Sequence, residues 1–376
     1  MNKIVVIISS QEYKEANHQE LWKELAKQSQ VPVVIANIPA DYVVTRIKGR
    51  IYRIKEAKAP AIKLAENLFI VRPLLSIRPE AAPSFIYRRL AKQLWKSVEK
   101  AVPKIQESFV NVIYYNAYWA KILKGSRENM SLCYYLFDEV RFNANDNTIN
   151  KRRYLDDEFA CRYSDLILTM TSKLADSRRE YNNNIQVIGN GSLVPEINTH
   201  LMRIQHSIAF IGNFRNWVDK ELLTNIIERK KNVLFAFVGP VEDNMKDYLH
   251  ELLNKYRNTA YFGKVSKNEM PTIYSMFDGV IVPYVQNEFI QATRPIKIVE
   301  SVLAGTPVVT IPMDGYQSSS FIRFATDVNS FCEEIDYILA HPVEVSGDEY
   351  KEFVLQNTWK NKASLILKYI HGIYAY

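Results

Sequence analysis

The chain has 376 residues, 47% of them hydrophobic, and a net charge of +7; at about 100–200 residues per domain this is the length of two domains, each able to bury a core. No run approaches the roughly 18 apolar residues of a membrane-spanning helix. The three scattered cysteines, Cys133, Cys161 and Cys332, exclude a disulfide framework and a metal-type spacing, and a reducing cytoplasm is the expected compartment.

The apolar run 4–8 is too short for the core of a signal peptide and reads as a buried first strand. Further strands are expected at 33–38, 68–72, 110–114, 132–137, 166–169 and 186–188, short runs rich in β-branched and aromatic residues. Helical patterns, such as 18–28 and 85–101, lie between them. The alternation implies a parallel sheet with helices on both faces. After the turn-rich stretch Gly189-Asn190-Gly191-Ser192-Leu193-Val194-Pro195, a hinge candidate, the pattern restarts. Strands at 207–211, 234–238, 260–262, 279–282 and 308–311 alternate with helices at 219–229, 245–256, 269–276 and 296–303. The expected fold class is therefore α/β, with two doubly wound Rossmann-like domains facing each other across a cleft. The domains are 1–190, with the helix 358–376 packing back on it, and 191–357. Ligands in such sheets sit outside the carboxyl ends of the strands. No Gly-x-Gly-x-x-Gly follows any strand, which sets aside a dinucleotide oxidoreductase.

The most informative segment is Arg294-Pro295-Ile296-Lys297-Ile298-Val299-Glu300. Pro295 suits the opening of a helix, where its missing N–H costs nothing. The helix N-terminus presents free N–H groups and the positive end of the dipole, which suit a diphosphate. Lys297 adds a full charge there, and Glu300, one turn on and on the same face, is a carboxylate able to accept from both hydroxyls of a ribose. Gly305-Thr306-Pro307 then leads into the next buried strand. By composition alone the stretch is equally an ordinary amphipathic helix with a Lys–Glu pair.

Pro-x-Lys-x-x-Glu, a short helix and then Ala304-Gly305-Thr306-Pro307-Val308-Val309 resembles the nucleotide-sugar site of GT-B glycosyltransferases, in particular the retaining group called family four. Phe210-Ile211-Gly212-Asn213, Phe237-Val238-Gly239-Pro240, Tyr261-Phe262-Gly263-Lys264-Val265 and Asp278-Gly279-Val280-Ile281-Val282-Pro283-Tyr284 resemble successive strands and loops of that family's donor domain, in order. Tyr134-Tyr135-Leu136-Phe137-Asp138-Glu139 resembles a Tyr-rich strand of polysaccharide-pathway members, and Asn190-Gly191 matches the family's hinge. The resemblance implies a hexosyltransferase-like enzyme with a first domain for the acceptor and a second for the donor. Its expected donor-binding residues are Gly212, Asn213, Arg215, Gly239, Val265, Arg294, Pro295, Lys297 and Glu300. It implies a nucleoside diphosphate sugar as co-substrate, a glycan or lipid-linked acceptor and retention at the anomeric carbon. Two departures stand out. Ala292 occupies the place of the family's second Glu, with Asn287 and Glu288 nearby at the wrong spacing. No Lys follows Arg215 at the distance of the family's diphosphate pair, so Arg294 is the alternative charge. A nucleotide-sugar epimerase on the same fold and a non-catalytic nucleotide-sugar binding protein are the competing readings.

The leaving diphosphate needs positive charge. Lys297, Arg294, Arg215 and the helix N–H groups supply it, and no Asp-x-Asp metal pair ends any strand, so no cofactor and metal independence are expected. An inverting enzyme would need a base. Asp138 and Glu139, which end a strand of the first domain, are candidates, with capping or hinge packing as the alternative. His18, after the first strand, is a third catalytic candidate, or a solvent-facing loop residue. Asn116 and Tyr118 are acceptor-loop candidates.

The charge is unevenly spread. Residues 1–125 carry 21 basic and 10 acidic side chains, a net of +11, which leaves −4 for the remainder. The first domain is thus expected to meet an anionic partner, and no nucleic-acid motif accompanies the charge. Arg88, Lys92, Lys96 and Lys100 recur every fourth residue on one helix face, flanked by Arg89 and by Leu90, Leu94, Trp95 and Val98. This is the pattern of a peripheral docker on the inner face of a membrane, or of a solvated face with Trp95 in the core.

Overall fold

The computed structural model describes residues 2–13, 16, 18–37, 39–41, 47–48, 51–143, 148–195, 203–266 and 268–372. Ile38, at the end of the second expected strand, and Asn17, beside His18, lie outside the described residues. The chain divides into two compact units, Met1–Ile188 with Trp359–Tyr376, and Gly189–Thr358.

The first unit alternates strand and helix. In chain order it runs β1 (Asn2–Ile8), α1 (Gln19–Ser29), β2 (Val33–Ala36), β3 (Ala40–Asp41), α2 (Ile51–Lys58), β4 (Ile62–Ala65), β5 (Leu68–Val71) and β6 (Leu74–Leu75). It continues with α3 (Tyr87–Val98), β7 (Ser108–Tyr114), α4 (Tyr118–Leu123), β8 (Met130–Leu136), α5 (Lys151–Tyr163), β9 (Leu166–Thr169), α6 (Ser172–Asp176) and β10 (Ile185–Val187). Eight strands form one sheet in the order β10-β9-β8-β7-β1-β2-β5-β4. All its pairings are parallel except that of β4 with β5. Ile4 to Ile8 of β1 are buried, as a central parallel strand covered on both faces requires. β4 differs: all four of its residues are exposed, so it is an edge, and its alternating polar pattern gave no strand signal. The strand order reverses at β1, between β2 and β7, and this switch point places the loops after β1 and β7 where a doubly wound sheet takes its ligands.

The second unit begins with β11 (Ile204–Ile211), α7 (Lys220–Arg229), β12 (Leu234–Val238), α8 (Lys246–Lys255), β13 (Thr259–Gly263), α9 (Met270–Ser275) and β14 (Phe277–Val282). It goes on with α10 (Glu288–Gln291), α11 (Ile296–Leu303), β15 (Val308–Thr310), β16 (Ile322–Phe324), α12 (Val328–Ala340) and α13 (Asp348–Asn357). Its six strands are all parallel, in the order β13-β12-β11-β14-β15-β16. Local chemistry sets the helix starts. Asp219 accepts from the Leu222 N–H at 2.9 Å, and Asp327 and Ser330 form a capping box at α12. The switch point here is β11, so the loop Gly212-Asn213 stands at the ligand-binding crevice of the sheet.

The last helix, α14 (Trp359–Gly372), belongs to the first unit and packs on α1. Gln28 donates to the Lys360 carbonyl at 2.9 Å and accepts from the Ser364 hydroxyl at 2.7 Å.

Three glycines stand side by side at the carboxyl ends of β11, β12 and β13. The Gly212 N–H donates to Val238 O, and the Gly239 N–H to Gly263 O, each at 2.8 Å. Gly212 and Gly239 have φ of +126° and +129°, a region that favours glycine. A Cβ on Gly239 would stand 2.2 Å from the Gly212 carbonyl oxygen, and that neighbour is backbone. Gly239→Ala is expected to cost about 1–3 kcal/mol of stability, read as a lower urea midpoint with an unchanged slope.

Candidate functional site

The donor-type helix α11 begins at Ile296, with Pro295 extended at the N-cap (φ −61°, ψ 121°). Its apolar face, Ile298, Val299, Val302 and Leu303, is buried, and this packing turns Lys297 toward the glycine loops. The Lys297 ammonium lies 4.2 Å from the centroid of the Phe210 ring and 5.2 Å from that of Tyr284. A Cβ on Gly212 would stand 2.8 Å from its Nζ. Nζ is buried and, among the described residues, has no hydrogen-bond partner. Burial pushes the ammonium down to about 7, partly opposed by Glu300. Two ring faces are a weak substitute for water around a cation.

Glu300, one turn further along α11, accepts from the Tyr274 hydroxyl at 3.1 Å. Tyr274 is fully buried, and its hydroxyl is held well above the usual tyrosine range by burial and then by the nearby Glu300 charge. It therefore remains a donor that fixes the carboxylate. Asn213, next in the chain to Gly212, carries a buried side-chain oxygen with no partner among the described residues. Val265 is partly buried against the core of this unit.

The other two expected cations are engaged. The Arg215 guanidinium is ion-paired to Glu242 and lies 4.6 Å from the Trp217 ring centroid. Arg294 donates to Asn190 O at 3.4 Å, Gly315 O at 3.2 Å and Asn357 Oδ1 at 3.0 Å, and it lies 4.7 Å from the Tyr316 ring centroid. Asn190 in return donates to the Arg294 carbonyl at 2.5 Å. Arg294 is thus a stitch between the stretch at Gly189-Asn190 and the start of α11. Gly189 has a φ of +65°, the left-handed region that favours glycine, and a Cβ there would make the Arg294 guanidinium shift. The sequence places diphosphate charges on Lys297, Arg294 and Arg215; the structure gives both arginines protein partners, with the Arg294 Nε buried and unpartnered, and gives the Lys297 Nζ no hydrogen-bond partner among the described residues.

In the first unit, His18 occupies the N-cap position of α1 without a side-chain capping hydrogen bond and is half-buried. Its ring is surrounded by Tyr115 at 5.3 Å, Tyr135 at 5.2 Å, Trp359 at 5.5 Å and Phe137 at 6.3 Å between centroids. It is not a solvent-facing loop histidine. The Tyr135 hydroxyl beside it is buried without a partner. Asn116 donates to the Tyr118 hydroxyl at 3.2 Å in the loop after β7. Asp138 follows β8, and desolvation pushes its carboxyl up to about 7.

The Glu139 carboxylate is gripped by Arg178 through Nη1 at 2.6 Å and Nη2 at 2.8 Å, and by Arg141 through Nε and Nη2 at 2.9 Å each. Arg178 is fully buried and also donates to Asp157 at 3.0 Å, which in turn accepts from the Tyr134 hydroxyl at 2.9 Å. Although burial opposes ionisation, the two arginines hold Glu139 down at about 2. A carboxylate held by two arginines is a poor proton acceptor, and these contacts place Glu139 in the packing behind β8, the alternative reading of that residue.

The basic stripe is real but narrower than its sequence. Arg88, Arg89, Lys92, Lys96 and Lys100 on and after α3 are exposed, while Leu90, Leu94, Trp95 and Val98 are buried. Trp95 is a core residue that donates to Ser126 Oγ at 3.1 Å, so it does not serve as an interfacial aromatic. The Lys100 ammonium donates to the carbonyls of Ala57 and Ala59 at 2.5 and 3.2 Å. The exposed aromatic is instead Phe85, 84% accessible just before α3. Tyr274 and Phe85 are not singled out by the sequence, and Phe210 enters there only as part of the strand before the glycine loop.

Residues 205–341 match the family described as Glycosyl transferases group 1. That stretch, from β11 through α12, is a group 1 glycosyl transferase domain, and it holds Lys297, Glu300 and all three strand-end glycines. One relative is the putative teichuronic acid biosynthesis glycosyltransferase TuaH of Bacillus subtilis (strain 168), 31% identical over 150 residues. The alignment spans 39% of this chain and 37% of that protein. Among solved structures, sucrose-phosphate synthase of Thermosynechococcus elongatus aligns over 100% of both chains, with a TM-score of 0.69 and 11% identity. A TarM variant of S. aureus in complex with fondaparinux, alpha-GlcNAc-glycerol and UDP also aligns over 100% of both chains, with a TM-score of 0.66 and 11% identity. At these identities the likeness is one of fold: two Rossmann-like domains of the GT-B class.

Removing Arg178 would leave Glu139 and Asp157 buried without their shared cation. Arg178→Met is expected to destabilise the first unit by about 3–5 kcal/mol, seen in chemical denaturation. Lys297→Met, which removes a buried charge instead, is expected to leave the melting temperature unchanged or higher.

Proposed function

We propose that this chain transfers a sugar from a nucleoside diphosphate sugar to a glycan or lipid-linked acceptor, with retention at the anomeric carbon, in polysaccharide or cell-wall glycan assembly. The observation that carries the reading is the Lys297 ammonium, buried without a hydrogen-bond partner at the first turn of α11 and against Gly212. A diphosphate placed there gains a full charge, the N–H groups of the helix start and the dipole's positive end together. Gly212 leaves room for the phosphate oxygens to approach the backbone. Glu300, oriented by Tyr274, is the acceptor for ribose hydroxyls, and the unpartnered Asn213 oxygen is available to a donor hydroxyl of the ligand. The group 1 domain and the UDP named with the TarM structure support a nucleoside diphosphate, with uridine as the first base to test.

The chemistry follows from where charge develops. As the sugar–phosphate bond breaks, negative charge grows on the leaving diphosphate, and a preorganised cation in a dry site stabilises it more than it stabilises the intact donor. Lys297 fills that role, with a metal-independent reaction as the expectation. Glu139, held by two arginines, is a poor base for an inverting displacement; Asp138, whose carboxyl burial raises to about 7, is the base that displacement would use, and retention rests on the family resemblance. The alternative of a binding protein without turnover predicts the same affinity and no sugar release.

The experiment is a calorimetric panel of UDP, GDP, ADP and CMP, with magnesium and with EDTA. Tight binding of one diphosphate in EDTA is expected, about ten- to hundred-fold weaker in Lys297→Met and weaker also in Glu300→Gln. No binding by the wild-type chain sinks the reading. The pH dependence has a sign. The free ammonium titrates near 7, and a bound diphosphate favours its charged form. Binding above pH 7 must therefore take up a proton, and affinity is expected to fall by up to about ten-fold per pH unit over that range. The uptake is read from the dependence of binding enthalpy on the buffer's ionisation heat.

The exposed cations of α3, with Phe85 at its head, are proposed to dock the first unit on an anionic membrane surface, where a lipid-linked acceptor would lie. Each cation near such a surface is worth about 1 kcal/mol. Reversing Arg88, Arg89 and Lys92 to Glu is expected to abolish sedimentation with phosphatidylglycerol vesicles and leave nucleotide affinity unchanged. Equal sedimentation of the variant would remove the docking face.

A further inference from the structure

A cavity of about 440 Å³ opens in the first unit, lined by Tyr87, Lys121, Lys151, Arg152, Leu155 and Asp156. These residues come from the starts of α3 and α5 and from α4. α5 follows β8 of the eight-stranded sheet, so its first turn, with Lys151 and Arg152, stands on the carboxyl-end side of that sheet, where doubly wound sheets take ligands; Lys121 comes from the last turn of α4.

The charges in the cavity do not cancel. Lys121 is paired to Asp156 at 2.5 Å. Lys151 and Arg152 are exposed and, among the described residues, form no ion pair. They also sit at an electrostatically wrong place. α5 opens with Lys151, Arg152 and Arg153 and has no acidic residue in its first turn. Cations at the positive end of a helix dipole are unfavourable. The Asn150 side chain accepts from the Arg153 N–H at 3.1 Å, so a good cap is present, and the basic turn adds nothing to the helix itself. An anion in the cavity would reverse the cost, because Lys151, Arg152 and the dipole would then act in the same direction.

The remaining walls say what carries the anion. Tyr87 and the 51% exposed Leu155 give an aromatic and an aliphatic surface. The volume exceeds that of a lone phosphate and suits a sugar unit. We infer that the cavity is an acceptor subsite for an anionic glycan, with phosphate or carboxylate groups on Lys151 and Arg152 and the sugar body against Tyr87 and Leu155. This inference rests on the proposed transferase reading for the word acceptor, but the binding itself does not.

The test uses the full chain and four probes: a glycerol phosphate oligomer, an oligogalacturonate, a neutral malto-oligosaccharide of equal length, and inorganic phosphate. Each is titrated into wild type and into the double variant Lys151→Glu, Arg152→Glu, with UDP affinity measured in the same samples. The expected result is that one of the two anionic oligomers binds and the neutral one does not. Which one binds identifies phosphate or carboxylate as the charge. The double variant is expected to bind it about hundred-fold more weakly, with UDP affinity and melting temperature unchanged; acidic residues suit a helix N-terminus, so misfolding is not the expected outcome. Equal binding of the neutral oligomer, full retention by the double variant, or inorganic phosphate binding as tightly as the oligomers would each overturn the inference. Loss by the double variant of binding to phosphatidylglycerol vesicles alone would also overturn it and assign these cations to the membrane face. Charge-dependent oligomer binding in a chain that binds no nucleotide would uphold the subsite and remove the transferase reading.

Discussion

A lysine ammonium without a hydrogen-bond partner, pressed against the rings of Phe210 and Tyr284, sets the design of the second unit. Taking a cation out of water is expensive unless something replaces the water. Here the protein supplies two ring faces and the distant help of Glu300, which is not enough. The surroundings are arranged to leave that gap open. Gly212 has no side chain to fill it, Gly239 lets the Gly212 carbonyl approach, and the buried face of α11 keeps Lys297 from swinging away. Each of these features costs stability, and the proposed diphosphate site rests on all of them.

The first unit solves the same electrostatic problem in the opposite way. Glu139, Arg178, Asp157, Arg141 and Tyr134 bury several charges behind β8, but every one has a partner at hydrogen-bond distance. That network is closed and has no valence left for a substrate. The groups around His18 differ again. His18 has an aromatic surround, beside a buried Tyr135 hydroxyl that has no partner among the described residues. The same contrast separates Lys121, neutralised by Asp156, from Lys151 and Arg152, which are not.

Much of this could be read along the chain. Strands and helices of the second unit fall within a few residues of where apolar runs and Gly-Pro punctuation placed them, because those signals are local. Pro295, Lys297 and Glu300 stood out by spacing alone, since one helical turn fixes which residues share a face. The weak points were also local in origin. The all-exposed edge strand β4 and the three-residue β16 carry too little periodicity to register, and Trp95 looked interfacial because a helix's apolar face and its edge are adjacent in sequence.

The amino-acid sequence by itself determined the fold class, the two-part organisation and the helix that carries the donor-type residues, because each depends on patterns spanning ten residues or fewer. Only the tertiary structure decided which charges are free. Glu139 is neutralised by Arg178, 39 positions away, and Arg294 is tied to Asn190, 104 positions away. Lys297 is desolvated by Phe210 from another strand. Whether an ionisable group is available for chemistry depends on what chain folding brings within about 4 Å of it, and no local pattern carries that information.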